Sequence, residues 1–239
     1  MKVLMFSSDK NIFREDSEAH ARMNEYASAL GELHIIGIAE KNPRFNSRIL
    51  FLHPVTGTYR LAQLFSMFFS ARSLCRSAHF DVITVQAPDE IGVIGFLISR
   101  VFRIPFQIQV HTDIFSPWYR QASWKERMRY WIACFLIPKA DGIRVVSDRI
   151  KRPIVVRNMQ RASRIFVLPI FTDISQFTAG VPNKEVEARF SGYKFKMIAA
   201  GRFVDKEKNF SMLIDMMRNF VNICPNALLV IVGDGPDRK

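Results

Sequence analysis

The chain has 239 residues, 49% hydrophobic and 23% charged, the proportions of an ordinary folded chain long enough to bury a sizeable core without staples. Its net charge of +12 favours an anionic partner: nucleic acid, an acidic membrane surface or a phosphorylated ligand. The three cysteines, Cys75, Cys134 and Cys224, have neither metal-ligand nor disulfide spacing, which reads as small buried thiols in a reducing compartment.

The opening "MKVLMFSSDK" turns polar too soon for a secretory leader, and "KVLMFSS" is expected as a first strand. It runs into "SSDKNIF" without the glycine fingerprint of a dinucleotide fold or a Walker-type phosphate loop, which argues against a nicotinamide cofactor in this half. Six further strands are expected at "LHIIGIA", "ILFLHPV", "DVITVQ", "FQIQVH", "GIRVVS" and "RIFVLPI". Several are apolar throughout, as strands covered on both faces are.

Helical periodicity fills the gaps. Leu61, Leu64, Phe65 and Phe68 form one stripe, and Trp124, Met128, Trp131, Ile132 and Phe135 another. The apolar run "IGVIGFLISRVFRI" is broken by Arg100 and Arg103, well short of the ~20 residues a bilayer requires. Strand and helix alternation predicts an α/β class: a Rossmann-like parallel sheet flanked by helices, over residues 1–180.

His111 falls at the carboxyl end of "FQIQVH", where open α/β sheets bind ligands, and Asp113 follows two residues on. An imidazole there can orient a sugar hydroxyl or exchange a proton near neutral pH; it serves equally as a cap at the core edge. His20, His34, His53 and His79 show no metal-ligand spacing, so no metal is expected. Arg144, Arg149, Lys151, Arg152, Arg157, Arg161 and Arg164 face one acid, Asp148, in the densest basic stretch, which reads as a solvated face or an anion-binding one.

"TAGVPNKEVEARFSGYK" breaks the pattern and marks a connector over 181–194. A second unit over 195–239 opens at "FKMIAAGR", continues through a helix with Phe210, Leu213, Ile214, Met217 and Phe220 on one face, and reaches the strand "ALLVIV". Arg202, Lys206 and Lys208 precede Asn209, a reasonable helix cap, so side-chain cations stand beside a helix start in an anion-binding arrangement or in a solvated loop. Gly233 and Gly235, in "GDGP", permit a tight turn and close backbone approach to a ligand, or simply end the strand.

In this order the pieces resemble a family 4 glycosyltransferase of the GT-B fold. The matching stretches are "KVLMFSSD", "QVHTD", "IRVVSDRIK", "VLPIFTDISQF" and, most specifically, "AAGRFVDKEKNFSMLIDMM" and "LLVIVGDGP". The resemblance implies two Rossmann-like domains, the first on the acceptor side and the second holding a nucleotide-sugar. It implies that Arg202 and Lys208 hold the donor diphosphate, that Gly201, Gly233 and Gly235 shape the donor pocket, and that His111 meets the transferred sugar. Ser8, Asp9 and Asp113 fall on the acceptor side. It further implies transfer to the hydroxyl of a glycan or lipid-linked acceptor, with retention, without metal or cofactor, in the cytoplasm or at the inner face of a membrane.

The chain departs from the family at Ser7, Ser8 and Asp9, where two glycines are common, and at Ile170 and Phe171, where Asn-Gly commonly precedes the aspartate, here Asp173. The second domain is expected to be incomplete at Lys239 and the 239 residues alone to be inactive. A nucleotide-sugar epimerase of the same fold, and a non-catalytic module binding membranes or partners, are the rival readings. Nucleic acid is not an expected partner, because the aromatics lie on core stripes and no stacking platform is present.

Overall fold

The computed structural model describes residues 1–39, 47–171, 174–178 and 180–238. The chain divides into two compact units, Met1–Phe171 and Thr172–Lys239. The division falls ahead of residue 180 because the last sheet hydrogen bond of the first unit runs from Leu168 N–H to the Val145 carbonyl. Asp173 lies outside the described residues.

All seven expected strands form one sheet. They are β1 (Lys2–Ser7), β2 (Glu32–Ile38), β3 (Leu50–Val55), β4 (Val82–Val85), β5 (Phe106–Val110), β6 (Gly142–Val145) and β7 (Ile165–Val167). The order is β3-β2-β1-β4-β5-β6-β7, parallel throughout. Chain progress reverses between β1 and β4, which places the topological switch point, and hence a ligand crevice, at their carboxyl ends.

Helix α1 (Glu18–Leu30) covers one face of the β1–β2 region, packing Met23 and Ala27 with Val3 and Ile35. The opposite face carries α2 (Arg60–Ser77), α3 (Glu90–Phe102), α4 (Pro117–Ala122), α5 (Trp124–Leu136) and α6 (Asp148–Arg157), over a core that includes Phe6, Ile83, Phe106 and Val145. Ser17, Asp89, Ser123 and Ser147 accept backbone N–H groups of α1, α3, α5 and α6, the capping pattern that starts helices at these points.

The apolar stripes of α2 and α5 proved wider than the arc that packs. Leu64 and Phe68 pack against the core, but Leu61 and Phe65 are 70% and 65% exposed. On α5 the small Ala133 and Leu136 face the sheet, while Trp124, Trp131 and Phe135 face solvent. A helix lays only one arc of its surface on the sheet, so side chains beyond that arc turn outward even where they are apolar.

The second unit contains α7 (Ser175–Thr178), α8 (Lys184–Arg189), β8 (Phe195–Ala200), α9 (Asp205–Lys208), α10 (Phe210–Ile223) and β9 (Ala227–Val232). Strands β8 and β9 pair in parallel from Phe195 opposite Ala227 to Ala200 opposite Val232. The connector is therefore partly helical, with Asn183 accepting the Glu185 and Val186 N–H groups. Of the described residues of this unit only Ala227 is fully buried. The three thiols are free and half-buried, and burial pushes Cys75 up to about 11.

Candidate functional site

The switch-point crevice is a real cavity of about 270 Å³, lined by Ser8, Arg60, Gln86, Asp89, His111, Tyr119 and Arg129 among others. Of the residues singled out in sequence for this half, Ser8 and His111 reach it. Asp9 instead accepts the Asn11 N–H at 3.0 Å and caps the turn of 3₁₀ helix at Lys10–Phe13. Asp113 pairs with Arg149 at 3.3 Å.

His111 is held from below by a polar line across three strands. Gln109 and Arg144 stand directly opposite each other in register, as do Thr84 and Gln107. Arg144 Nη1 donates to Gln109 Oε1 at 3.1 Å, Gln109 Nε2 donates to Thr84 Oγ1 at 3.2 Å, and Thr84 Oγ1 donates to Gln107 Oε1 at 2.8 Å. Because the donor-only guanidinium fixes the amide oxygen toward itself, His111 Nε2, 3.3 Å from that oxygen, is the protonated nitrogen. The imidazole surface is exposed, yet the protein massed around it, with Arg144 and Arg22 nearby, lowers its pKa, so the neutral ring prevails at neutral pH. Arg144 is thus part of this network, also donating to the Leu168 and Pro169 carbonyls, rather than part of a free basic patch.

The opposite wall holds Arg129, whose Nε lies 3.3 Å from a Glu90 carboxylate oxygen. Burial opposes the Arg129 charge, but Glu90 and Asp89 outweigh it and raise its pKa. Asp89 accepts the Ile91 and Gly92 N–H groups at 2.9 and 3.2 Å, and its burial raises its pKa. Sequence inspection missed Gln86, Gln109, Tyr119 and Arg129. Gln109 alone had a signal: "QIQVH" alternates, so Gln107, Gln109 and His111 share one face.

In the second unit the turns that follow β8 and β9 lie against each other. The Gly201 N–H bonds the Val232 carbonyl at 2.9 Å, and the Phe203 N–H bonds the Asp234 carbonyl at 2.8 Å. A Cβ on Gly233 would lie 1.9 Å from the Gly201 oxygen, and one on Gly235 2.4 Å from the Phe203 oxygen, so both positions require glycine. Asn209 holds the N-cap position of α10, but its side chain does not do the capping. It adopts φ 54° and makes no side-chain cap bond, while Asp205 accepts the Ser211 N–H and hydroxyl at 2.8 Å each. Lys206 and Lys208 lie on α9, and Arg202 is paired with Glu207 at 3.3 Å on the surface.

Outside these sites, the tertiary fold brings His34 within 3.0 Å of His53, with Glu32 2.8 Å from the other His34 nitrogen. Among the described residues no group of three or more His, Cys, Asp or Glu could hold a metal ion, and no helix is long and apolar enough to cross a membrane.

Residues 32–170, more than half of the chain and most of the seven-stranded sheet, match the family model described as a glycosyl transferase 4-like domain. The chain belongs to that family. Several solved structures share its fold. HepE of Anabaena, solved with UDP and glucose, superposes with a TM-score of 0.63 at 17% identity, over 98% of this chain and 61% of its own. The lipopolysaccharide outer core galactosyltransferase WaaB gives 0.60 at 11% identity, over 99% of this chain and 62% of its own. A protein described as a UDP-N-acetylglucosamine 2-epimerase of Listeria monocytogenes gives 0.56 at 11%, over 96% and 61%. The chain thus spans about three-fifths of the length of these structures. No curated protein matches the sequence.

Proposed function

We propose that this chain belongs to an enzyme that transfers a sugar from a nucleotide-sugar to the hydroxyl of a glycan or lipid-linked acceptor. The observation that carries the reading is His111 at the mouth of the switch-point cavity, inside the domain matched by the glycosyltransferase family. In this reading the acceptor occupies the cavity beside Ser8. Gln109 holds the neutral His111 in one tautomer against the transferring sugar. The glycine turns at Gly201, Gly233 and Gly235 approach the donor, while Arg202 and Lys208 neutralise its diphosphate as charge develops on the leaving group. Arg202 must exchange Glu207 for phosphate, which is inexpensive for an exposed pair. Neither a metal nor a cofactor is invoked, the anomeric configuration is retained, and the enzyme works in the cytoplasm, against an anionic membrane surface.

Titration calorimetry with a nucleoside diphosphate tests the donor side. Arg202→Ala and Lys208→Ala should each weaken binding by about 1.5–3 kcal/mol, the worth of one charge-assisted contact. Unchanged affinity in both variants removes the donor-loop assignment. Incubation with nucleotide-sugars, with and without acceptor, separates transfer from epimerisation: an epimeric nucleotide-sugar formed without any acceptor would make the protein an epimerase, an activity named for several fold neighbours.

A further inference from the structure

Unspent polar groups of the first unit gather at the switch-point cavity. Of the two arginines that line it, Arg129 is committed to Glu90 and Glu126. Arg60, the first residue of α2, is exposed and has neither an ion pair nor a side-chain hydrogen bond among the described residues. Ser8, Thr112 and Tyr119 line the same cavity, and their hydroxyls likewise have no hydrogen-bond partner among the described residues. A guanidinium and three hydroxyls left open on one concave surface are groups that a polar ligand completes.

The charge around this cavity is one-sided. Arg22 and Arg144 both bear on the His111 ring, and like Arg60 they pair with no carboxylate among the described residues. The acid in the lining, Asp89, gives one oxygen to the Ile91 and Gly92 N–H groups. A concave wall of one sign concentrates ligands of the other. Further along the basic stretch the cations are spent inside the molecule: Arg149 pairs with Asp113, Arg157 stacks on Phe115 and Arg164 pairs with Asp141.

The cavity holds about 270 Å³, below the ~300–1,000 Å³ of sites that enclose a drug-sized ligand, so it receives a single monosaccharide-sized group. A sphere of that volume is about 8 Å across, which keeps a ligand atom at Arg60 within about 8 Å of one at His111. An anion held by Arg60 is therefore carried by the group that meets His111, or by the linkage beside it, and not by a distant part of the molecule.

We propose that the acceptor is an acidic sugar: the cavity takes a monosaccharide-sized group bearing an oxyanion, phosphate or carboxylate, with Arg60 gripping the oxyanion and Ser8, Thr112 and Tyr119 meeting the hydroxyls. A guanidinium presents its N–H groups in a planar fork that matches either oxyanion. A neutral sugar leaves Arg60 unmatched, so this one charge-assisted contact discriminates between acceptors. The role as acceptor rests on the transferase reading; the oxyanion site at Arg60 does not.

Nuclear magnetic resonance of the His111 ring tests the proposal, read while the whole chain is titrated with glucose, glucose 6-phosphate, glucuronate or inorganic phosphate at constant ionic strength. Glucose 6-phosphate or glucuronate should bind at least about tenfold more tightly than glucose, and the tighter of the two identifies the oxyanion. Arg60→Gln should erase that advantage and leave glucose binding as in the parent. Arg76→Gln, which removes the same charge about 24 Å away along α2, should bind as the parent does. Arg60 is exposed, so its variant should melt as the parent does, which separates a lost contact from a lost fold. Equal binding of glucose and both sugar anions overturns the proposal, and so does an equal loss in the Arg60 and Arg76 variants. Inorganic phosphate bound without any gain for the sugar anions is an adventitious ion only and overturns it too. If Arg60→Gln weakens a nucleoside diphosphate as much as the sugar anions, the cavity holds the donor's phosphates: the proposal falls and the transferase reading stands. An epimer formed without acceptor removes the transferase reading and leaves the oxyanion site in place.

Discussion

The two units are built from the same strand-helix-strand grammar, yet they bury their residues very differently. In the first, Leu4, Phe6, Ile83, Phe106 and Ile108 are fully buried between a sheet of seven strands and the helices packed on one face of it. In the second, β8 and β9 make a sheet of only two strands, and Ile198 and Ile214 are 76% and 52% exposed. The local signals in β8 are no weaker than those in β1. Strand propensity and periodicity choose an element, but the number of strands and covering helices decides how much surface leaves water.

The largest test of this contrast is a pair of truncations. Phe106→Ala should cost about 3–5 kcal/mol, because it empties a filled site. Phe220→Ala on α10, whose ring lies 5.4 Å from that of the half-exposed Phe195, should cost about 1 kcal/mol. Denaturant melts read by hydrogen exchange in β5 and β8 report the two separately. Equal costs would break the comparison and give the second unit a packed core of its own.

A smaller effect sharpens it through pH. All five histidines lie in the first unit. Burial, with His34 alongside, lowers His53 to about 4, from 6.5. The folded state therefore holds His53 neutral while the unfolded chain binds a proton, so stability is complete above pH 6.5 and is lost as the pH falls toward 4. Allowing for partial exposure, the loss is about 1–3 kcal/mol. Burial lowers His34 too, in the same direction. His53→Gln should flatten the first unit's stability between pH 6.5 and 5, whereas opening of the second unit should not respond to pH there in either protein. An unchanged slope would show that the pair titrates as free histidines do.

The smallest effect compares polar contacts. Gln109→Met removes an almost fully buried acceptor from Arg144 and His111 and should cost about 1–2 kcal/mol; Glu207→Gln, which breaks the solvated pair with Arg202, should cost less than about 0.5 kcal/mol. Chemical denaturation measures both. Nuclear magnetic resonance of the His111 ring should also show a mixed tautomer in Gln109→Met and the Nε2–H form in the parent; identical spectra would detach His111 from the polar line.

By itself the sequence determined the seven strands, their approximate ends, the α/β class and the places where His111, Gly201, Gly233 and Gly235 fall, because backbone propensity, period-two and period-3.6 patterns and glycine requirements are local. It also carried the family resemblance, through motif order. Only the tertiary structure decided which side of an apolar helix packs: Met67 and Ala71 inward, Leu61, Phe65 and Phe69 outward. It alone joined Arg144 to Gln109 across β5 and β6, set His34 against His53, and gave the first turn of α10 the Asp205 carboxylate as acceptor in place of the Asn209 side chain. Such pairings depend on register and on which elements become neighbours, and residues far apart in the chain have no short-range pattern that records them.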